Sequence, residues 1–448
     1  MKKIIFLQIE IKSRELKPKL YLAYQALKKD YYCFIGDKAG IFRSVKYFSP
    51  GVYFYKSINF PDTDHIKKIK KLKNIYVAQD EESGFTHSSK KDLQKYITVR
   101  SSKINVSLID KFFNWGQFDF DEWKKRYKDY SYKFCLTGSP RVDLWSPNLI
   151  KKIYKKENNH ILLNHGTNIV TIISSNITSK NDLNRYLKTD KIWFKFRNKK
   201  EKDNRLKQLK SDLSFHYEFV KMINQISKEN PKINFIVRPH PGESVKDWKK
   251  ITKKMSSNVI LDNNFDITPW LYNSKFVIQS SSSVALQTLI MKKNLITYKP
   301  DGFNYNRNYP NKFGFIAKDS NKINSILRSK VKLSHKVKKD ILLIKKRITN
   351  HDQSIAAKEM MMEISKIHRN KEKINLITLS FLSFLYFIKV NLLKIFKIKK
   401  IKKNVFFPQS KIPNGISKKE VSNFFHAIDS NSINIKRFGP DCFLLFKK

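Results

Sequence analysis

The chain has 448 residues, with 90 Lys and Arg against 38 Asp and Glu, a formal net charge of +52. At roughly 100–200 residues per domain this length makes two or three domains. A content of 41% hydrophobic and 13% aromatic residues excludes a disordered or collagen-like chain. Cys33, Cys135 and Cys442 are too few and too scattered for a disulfide framework or a cysteine zinc site, which favours a reducing, cytoplasmic compartment. The charge surplus fits a polyanionic partner, or a composition rich in Lys, Ile and Asn throughout. No zinc-finger spacing, RRM aromatic motif or KH-type GxxG loop accompanies it, so no nucleic acid is expected. Phosphate and an anionic membrane surface remain.

In chain order, Met1–Leu7 opens like a signal peptide, but the apolar run stops at Gln8 and Glu10 and no small-residue cleavage site follows. A strand over Ile4–Ile9 is the expectation. Leu16–Lys29 reads as a helix, Tyr31–Ile35 as a strand closed by a loop at Gly36–Gly40, and Val52–Tyr55 as a third strand. The Lys-rich Asp64–Lys73 reads as helical, with strands at Asn74–Ala78 and Phe134–Thr137. Such alternation implies βαβ units on a parallel sheet. The polar Ser146–Asn159 reads as a linker, after which the pattern restarts. His160–Asn164 is expected as a strand, Phe215–Glu229 as a helix, and Ile233–Val237 as a strand. Helices follow at Ile267–Asn273 and Ser283–Met291, with strands at Phe276–Ile278 and Leu295–Tyr298. The expected domains are 1–145, a linker 146–159, a second domain 160–365 and a basic tail 366–448. Ser354–Ile367 reads as helical and leads into that tail, where Ile374–Ile388 are fifteen uncharged residues followed by seven lysines up to Lys403. The apolar run is short of the roughly twenty residues of a bilayer span. It suits a helix lying on an anionic membrane through residues 374–403, or one packed on the protein body.

Three constellations could carry chemistry. Arg238-Pro239-His240-Pro241-Gly242-Glu243 follows an apolar strand, and ligands of open α/β sheets sit at the carboxyl ends of strands. Proline on both sides fixes the direction of His240, and Arg238 offers a planar fork for phosphate. Gln279-Ser280-Ser281-Ser282-Ser283 leads into a helix carrying Gln287. Its hydroxyls and amides could cradle a phosphate, or Ser282 or Ser283 could simply cap the helix. Asp80, Glu81 and Glu82 stand together after a strand, where mutual repulsion raises a pKa and suits a general base. Two lesser elements are His165-Gly166-Thr167-Asn168, expected at a strand end with Gly166 and Thr167 near a donor, and Thr137-Gly138-Ser139-Pro140-Arg141-Val142-Asp143. No P-loop, GxSxG elbow, HExxH or paired metal-ligand spacing occurs, so neither a metal nor a resident cofactor is expected.

The ordered set of an acidic DEE-S-G element, TG-x-PR-x-D, R-P-H-P and a serine run resembles GT-B glycosyltransferases of bacterial surface polysaccharide assembly. It is most similar to the surface carbohydrate biosynthesis proteins. More distantly it resembles bacterial sialyltransferases, the Kdo transferases of capsule assembly and CDP-glycerol glycerophosphotransferases. The likeness covers about residues 1–365. It implies an α/β GT-B fold, two Rossmann-like domains facing a cleft, with a basic C-terminal helical tail. It also implies a base among Asp80, Glu81 and Glu82, and a nucleotide phosphate held by His240, Arg238 and some of Ser280, Ser281, Ser282 and Ser283. Gln287 stands where such enzymes often place a Glu for the donor ribose. The activity implied is transfer of a sugar from a nucleotide-activated donor, CMP-linked for instance, to a polysaccharide or lipopolysaccharide acceptor. The acceptor is a glycan or lipid-linked glycan, met peripherally on the inner membrane face. A glycerophosphotransferase or sugar-nucleotide epimerase on the same fold is the alternative. A membrane-docked, glycan-binding scaffold without catalysis is another.

Overall fold

The computed structural model of the protein describes residues 1–81, 87–174, 183–184, 187, 198–240, 243–305, 308–329, 335–368, 371–395, 411–412, 414–428 and 433–447. The chain forms two compact units. One comprises Met1–Phe85, Ser89–Ile153 and Lys345–Lys448, and the other Thr86–Ser88 and Tyr154–Ile344.

The first unit carries six parallel strands, β1 (Lys3–Ile9), β2 (Tyr31–Asp37), β3 (Val52–Tyr55), β4 (Ile75–Gln79), β5 (Lys111–Asn114) and β6 (Phe134–Leu136). The second carries β7 (Ile169–Ile173), β8 (Asn234–Arg238), β9 (Val259–Leu261), β10 (Phe276–Gln279), β11 (Asn294–Tyr298) and β12 (Phe315–Ala317), also all parallel. The chain then returns to the first unit with β13 (Ile433–Arg437) and β14 (Cys442–Lys447).

The first sheet runs β13-β14-β2-β1-β3-β4-β5-β6 and the second β12-β11-β10-β7-β8-β9. Both are doubly wound. Strand order reverses between β1 and β3 in the first and between β7 and β10 in the second, the places where such sheets open for ligands. The strands read as unbroken apolar runs because helices cover both faces. Ile4, Ile5, Phe6 and Leu7 are all buried in β1, as are all five residues of β7.

Three expectations change. His160–Asn164 is not a strand but belongs to the helix Lys155–His165, which ends on Gly166 at φ +69°. An apolar run of three residues, Ile161–Leu163, cannot choose between the two periods. The buried pair Asn158 and Ile161, three apart, follows the helical one, while Leu163 stays 86% exposed. The segment expected as a linker is helical too, with Ile150 and Ile153 buried in Pro147–Ile153. Lastly, residues 345–365 group with the first unit, and the described parts of the tail beyond them belong to its fold. Asp143 explains the first part: its carboxylate accepts from Ala356 N at 3.0 Å and Ala357 N at 2.8 Å, capping the helix Ala356–Ile367. Burial pushes its pKa up to about 7. The tail supplies β14, antiparallel to β2, with Cys442, Phe443, Leu444 and Leu445 fully buried. Only glycine permits that approach: a Cβ on Gly36 would lie 2.5 Å from Asp441 O and 2.7 Å from Cys442 Cα. The loop expected at Gly36–Gly40 is correspondingly short, since the helix Lys38–Phe48 starts directly after Asp37 accepts from Gly40 N.

Candidate functional site

In the second unit the carboxyl ends of β8, β7 and β10 lie side by side. Ser174 follows β7, His240 follows β8 and Ser280 follows β10. With strands about 4.8 Å apart, the histidine and serine loops stand about 10 Å from each other across β7. The serine loop borders the point where strand order reverses.

Both loops are held from below. Glu243 Oε2 accepts from His240 N at 2.9 Å, from Trp248 Nε1 at 3.1 Å and from Ser174 Oγ. Glu243, Ser174 and Trp248 are buried, whereas the His240 side chain is exposed at the edge. Desolvation by the surrounding protein still lowers the imidazole pKa, which favours the uncharged ring. Pro241 and Gly242 lie outside the described residues. In the other loop Ser281 adopts φ +61°, a left-handed conformation costly for a residue with a Cβ. Buried Asn311 holds it there, accepting from Ser281 N at 2.7 Å and donating to Ser281 Oγ at 2.9 Å. Gln279, fully buried, accepts from Ser282 N at 2.8 Å and donates to Thr297 Oγ1 at 2.8 Å. Ser281 is exposed and Ser282 and Ser283 are half-buried, while Ser280 is buried.

These contacts redistribute the expected roles. The amides of Ser281 and Ser282 are already committed to Asn311 and Gln279, so what the loop turns outward is hydroxyl chemistry. Ser283 makes no side-chain cap. Arg238 is not a phosphate fork here. Its guanidinium donates to the carbonyls of Asp262 at 2.6 Å, Asn264 at 2.8 Å and Phe265 at 3.0 Å, fastening the loop after β9. Desolvation lowers its pKa to about 10 against the opposing pull of Asp262 and Asp266. Gln287 is buried and donates to Thr268 Oγ1 at 2.9 Å, so it ties two helices together instead of reaching outward. Gly166 and Thr167 precede β7 and therefore lie at the opposite, amino edge of the sheet. They do not join His240 and the serines.

In the first unit the carboxylates follow β4. Asp80 is buried, and its Oδ2 accepts from Tyr96 Oη at 2.7 Å while its carbonyl accepts from Trp115 Nε1 at 2.9 Å. Glu82 lies outside the described residues. Glu81 joins a charged cluster at the carboxyl ends of β1 and β3. Lys19, itself buried, donates to Gln8 O at 2.6 Å and Glu15 Oε2 at 2.9 Å, and its Nζ stands 3.7 Å from Glu81 Oε1. Glu15 also accepts from the amides of Glu10 and Ile11. Desolvation raises the Glu81 pKa, the Lys19 charge opposes it and Glu15 adds to it. Glu10 behaves oppositely: bonds from Lys411 and Lys56 outweigh desolvation and hold it at about 2. Arg14, 3.5 Å from Glu15 Oε1, adds a second cation beside Lys19, and the two glutamates are pushed apart: the pKa of Glu15 is lowered while that of Glu81 is raised, so Glu81 is the member that takes a proton more readily.

Sequence reasoning missed Glu243, Ser174, Asn311, Gln279, Glu15 and Lys19 as parts of these sites. Glu243 alone carried a local signal, standing three residues beyond His240 in the same hexapeptide. Gln279 accepts from Ser282 three residues on and Lys19 pairs with Glu15 four residues back, but Ser174, Asn311 and the Lys19–Glu81 pair meet partners distant in the chain.

No family model and no curated protein matches this sequence. Among solved structures, a putative UDP-N-acetylglucosamine 2-epimerase from Listeria monocytogenes aligns with TM-score 0.50 at 10% identity, over 84% of this chain and 100% of that one. This is the two-domain GT-B fold. The wall teichoic acid polymerase TagF, in a variant form soaked with CDPG, aligns at 0.49 and 14% identity over 82% of this chain and 88% of that one. The UDP-GlcNAc 2-epimerase from Neisseria meningitidis bound to UDP-GlcNAc aligns at 0.47 and 11% identity, over 82% and 100%.

Proposed function

We propose that the chain is a GT-B transferase moving a sugar from a nucleotide-activated donor, such as a CMP-linked one, to a surface polysaccharide or lipopolysaccharide acceptor. One observation carries this reading: His240, its loop clamped by Glu243, shares a carboxyl edge with the strained, hydroxyl-bearing Ser281 loop across a single strand. A phosphate between them accepts hydrogen bonds from the imidazole N–H and the serine hydroxyls. Those donors are fixed before the reaction, so they stabilise charge that develops on the departing nucleotide. In the first unit Glu81, whose raised pKa makes its carboxylate a stronger base, takes the proton of the acceptor hydroxyl. A lipid-linked acceptor keeps the enzyme at the cytoplasmic face of the inner membrane, met through the apolar-to-basic stretch 374–403, of which 396–403 lie outside the described residues. No helix among the described residues is long and apolar enough to cross it.

The test is calorimetric titration with CMP, CDP and UDP, then donor turnover with and without glycan acceptor. His240→Ala should reduce turnover by about 30- to 1,000-fold, the equivalent of about 2–4 kcal/mol of transition-state stabilisation. A rate within a few-fold of wild type removes His240 from the chemistry. Altered nucleotide sugar released without acceptor makes the protein an epimerase, and indifference to all three nucleotides makes it a scaffold.

A further inference from the structure

The helix Leu376–Ile395 has two unlike faces. Leu379 and Ser383 are buried, and the Arg43 guanidinium sits 3.4 Å from the ring centroid of Tyr386. Ser383 Oγ accepts from Gly439 N at 3.3 Å, and a Cβ on Gly439 would stand 3.2 Å from the Tyr386 ring. Ile374 and Leu379 belong to the same core cluster as Phe6, Phe34 and Leu444. This face is therefore part of the first unit and not a tether. On the other side Ile377 is 81% exposed, Phe381 60%, Phe384 62%, Leu385 45%, Ile388 40% and Leu392 47%. At about 100° per residue these six fall within an arc of about 100°, one continuous apolar stripe.

A stripe of this kind on an exposed helix asks for an occupant, and the charge of the chain selects one. No Asp or Glu occurs between Glu372 and Glu420, while Lys389, Lys394, Lys397, Lys399, Lys400, Lys402 and Lys403 follow the stripe or flank its end. A second copy of the chain would bring the same cations against themselves. An acidic bilayer surface meets both features at once, apolar side chains in the acyl boundary and lysines among the headgroups.

We infer that this stripe docks the first unit onto an anionic membrane as an interfacial helix held rigidly by the fold, so that binding fixes how that unit faces the bilayer. The inference deepens the membrane contact proposed above, and its test uses neither donor nor acceptor, so it can fail independently of the transferase reading. Full-length protein is sedimented with vesicles of phosphatidylcholine alone and with added phosphatidylglycerol. The wild type should pellet with the anionic vesicles, at least tenfold more than with the neutral ones. Phe381→Ser/Phe384→Ser/Ile388→Ser should lose at least tenfold of that binding while keeping its thermal transition, because the replaced side chains face solvent. Three results overturn the inference. The first is a wild type absent from the anionic pellet. The second is a triple variant that binds as wild type does, leaving the lysines as the whole attraction. The third is a dimer, seen by light scattering, that the triple variant abolishes.

Discussion

Glu243 is the residue on which the histidine loop depends, and its removal can be worked through from the contacts. One carboxylate oxygen accepts from the His240 amide at 2.9 Å, from the Trp248 indole at 3.1 Å and from the Ser174 hydroxyl. Bonds to an ionised acceptor contribute about 1.5–3 kcal/mol, and neutral ones about 0.5–1.5. Glu243→Gln keeps an oxygen acceptor and weakens each bond by about 1 kcal/mol. Relief from burying a charge offsets part of that, leaving a net loss of about 1–2 kcal/mol. Glu243→Ala strands the indole N–H and the amide inside the protein at about 1–3 kcal/mol each, so a loss of about 3–5 kcal/mol is expected. The assay is urea unfolding, resolved into separate transitions because two units need not unfold together. Calorimetric titration with CMP, CDP and UDP accompanies it. The expected order of destabilisation is Ala, then Gln, then wild type, with nucleotide affinity reduced in both variants as His240 loses its fixed direction. If Glu243→Ala unfolds within about 0.5 kcal/mol of wild type, the level of an ordinary surface change, the clamp does not exist.

Other expectations are simpler. Asn311→Ala should cost the second unit about 2 kcal/mol, since it removes both bonds that hold Ser281 at φ +61°, and urea unfolding of that unit measures it. Gly36→Ala should push β14 from the sheet at a cost of about 1–3 kcal/mol, seen as faster hydrogen exchange over Cys442–Leu445. Unchanged exchange there would contradict the packing. Glu81 must be ionised to act as a base, so its raised pKa places the acid limb of the rate profile above the ordinary carboxylate range. Lys19→Met removes the largest of the charges that oppose this shift, Arg14 and Arg141 being the others, and should move the limb to still higher pH, while Glu81→Gln should lower turnover by about 100-fold or more. A limb that stays put in Lys19→Met would separate Glu81 from the proton transfer.

The sequence by itself carried the class of fold, because unbroken apolar strands alternating with helices have few other solutions than a parallel sheet. It also placed His240 and Ser280–Ser283 at strand ends, since loop position follows directly from strand position. Its failures came where local pattern is ambiguous or where partners are distant. His160–Asn164 fits either period, and only burial of Ile161 three residues from Asn158 decides for a helix, which moves Gly166 and Thr167 to the wrong edge. Arg238 and Gln287 have the chemistry to hold a donor, but carbonyls from the loop after β9 and the hydroxyl of Thr268 claim them. No short-range signal marks Asn311 as the support of Ser281, or Lys19 as the neighbour of Glu81 sixty residues on. Nor does any mark the last strand of the chain as the partner of the second. Those pairings exist only once sheet order has been set, because a hydrogen bond between distant residues depends on where the backbone brings them and not on what lies beside them in the chain.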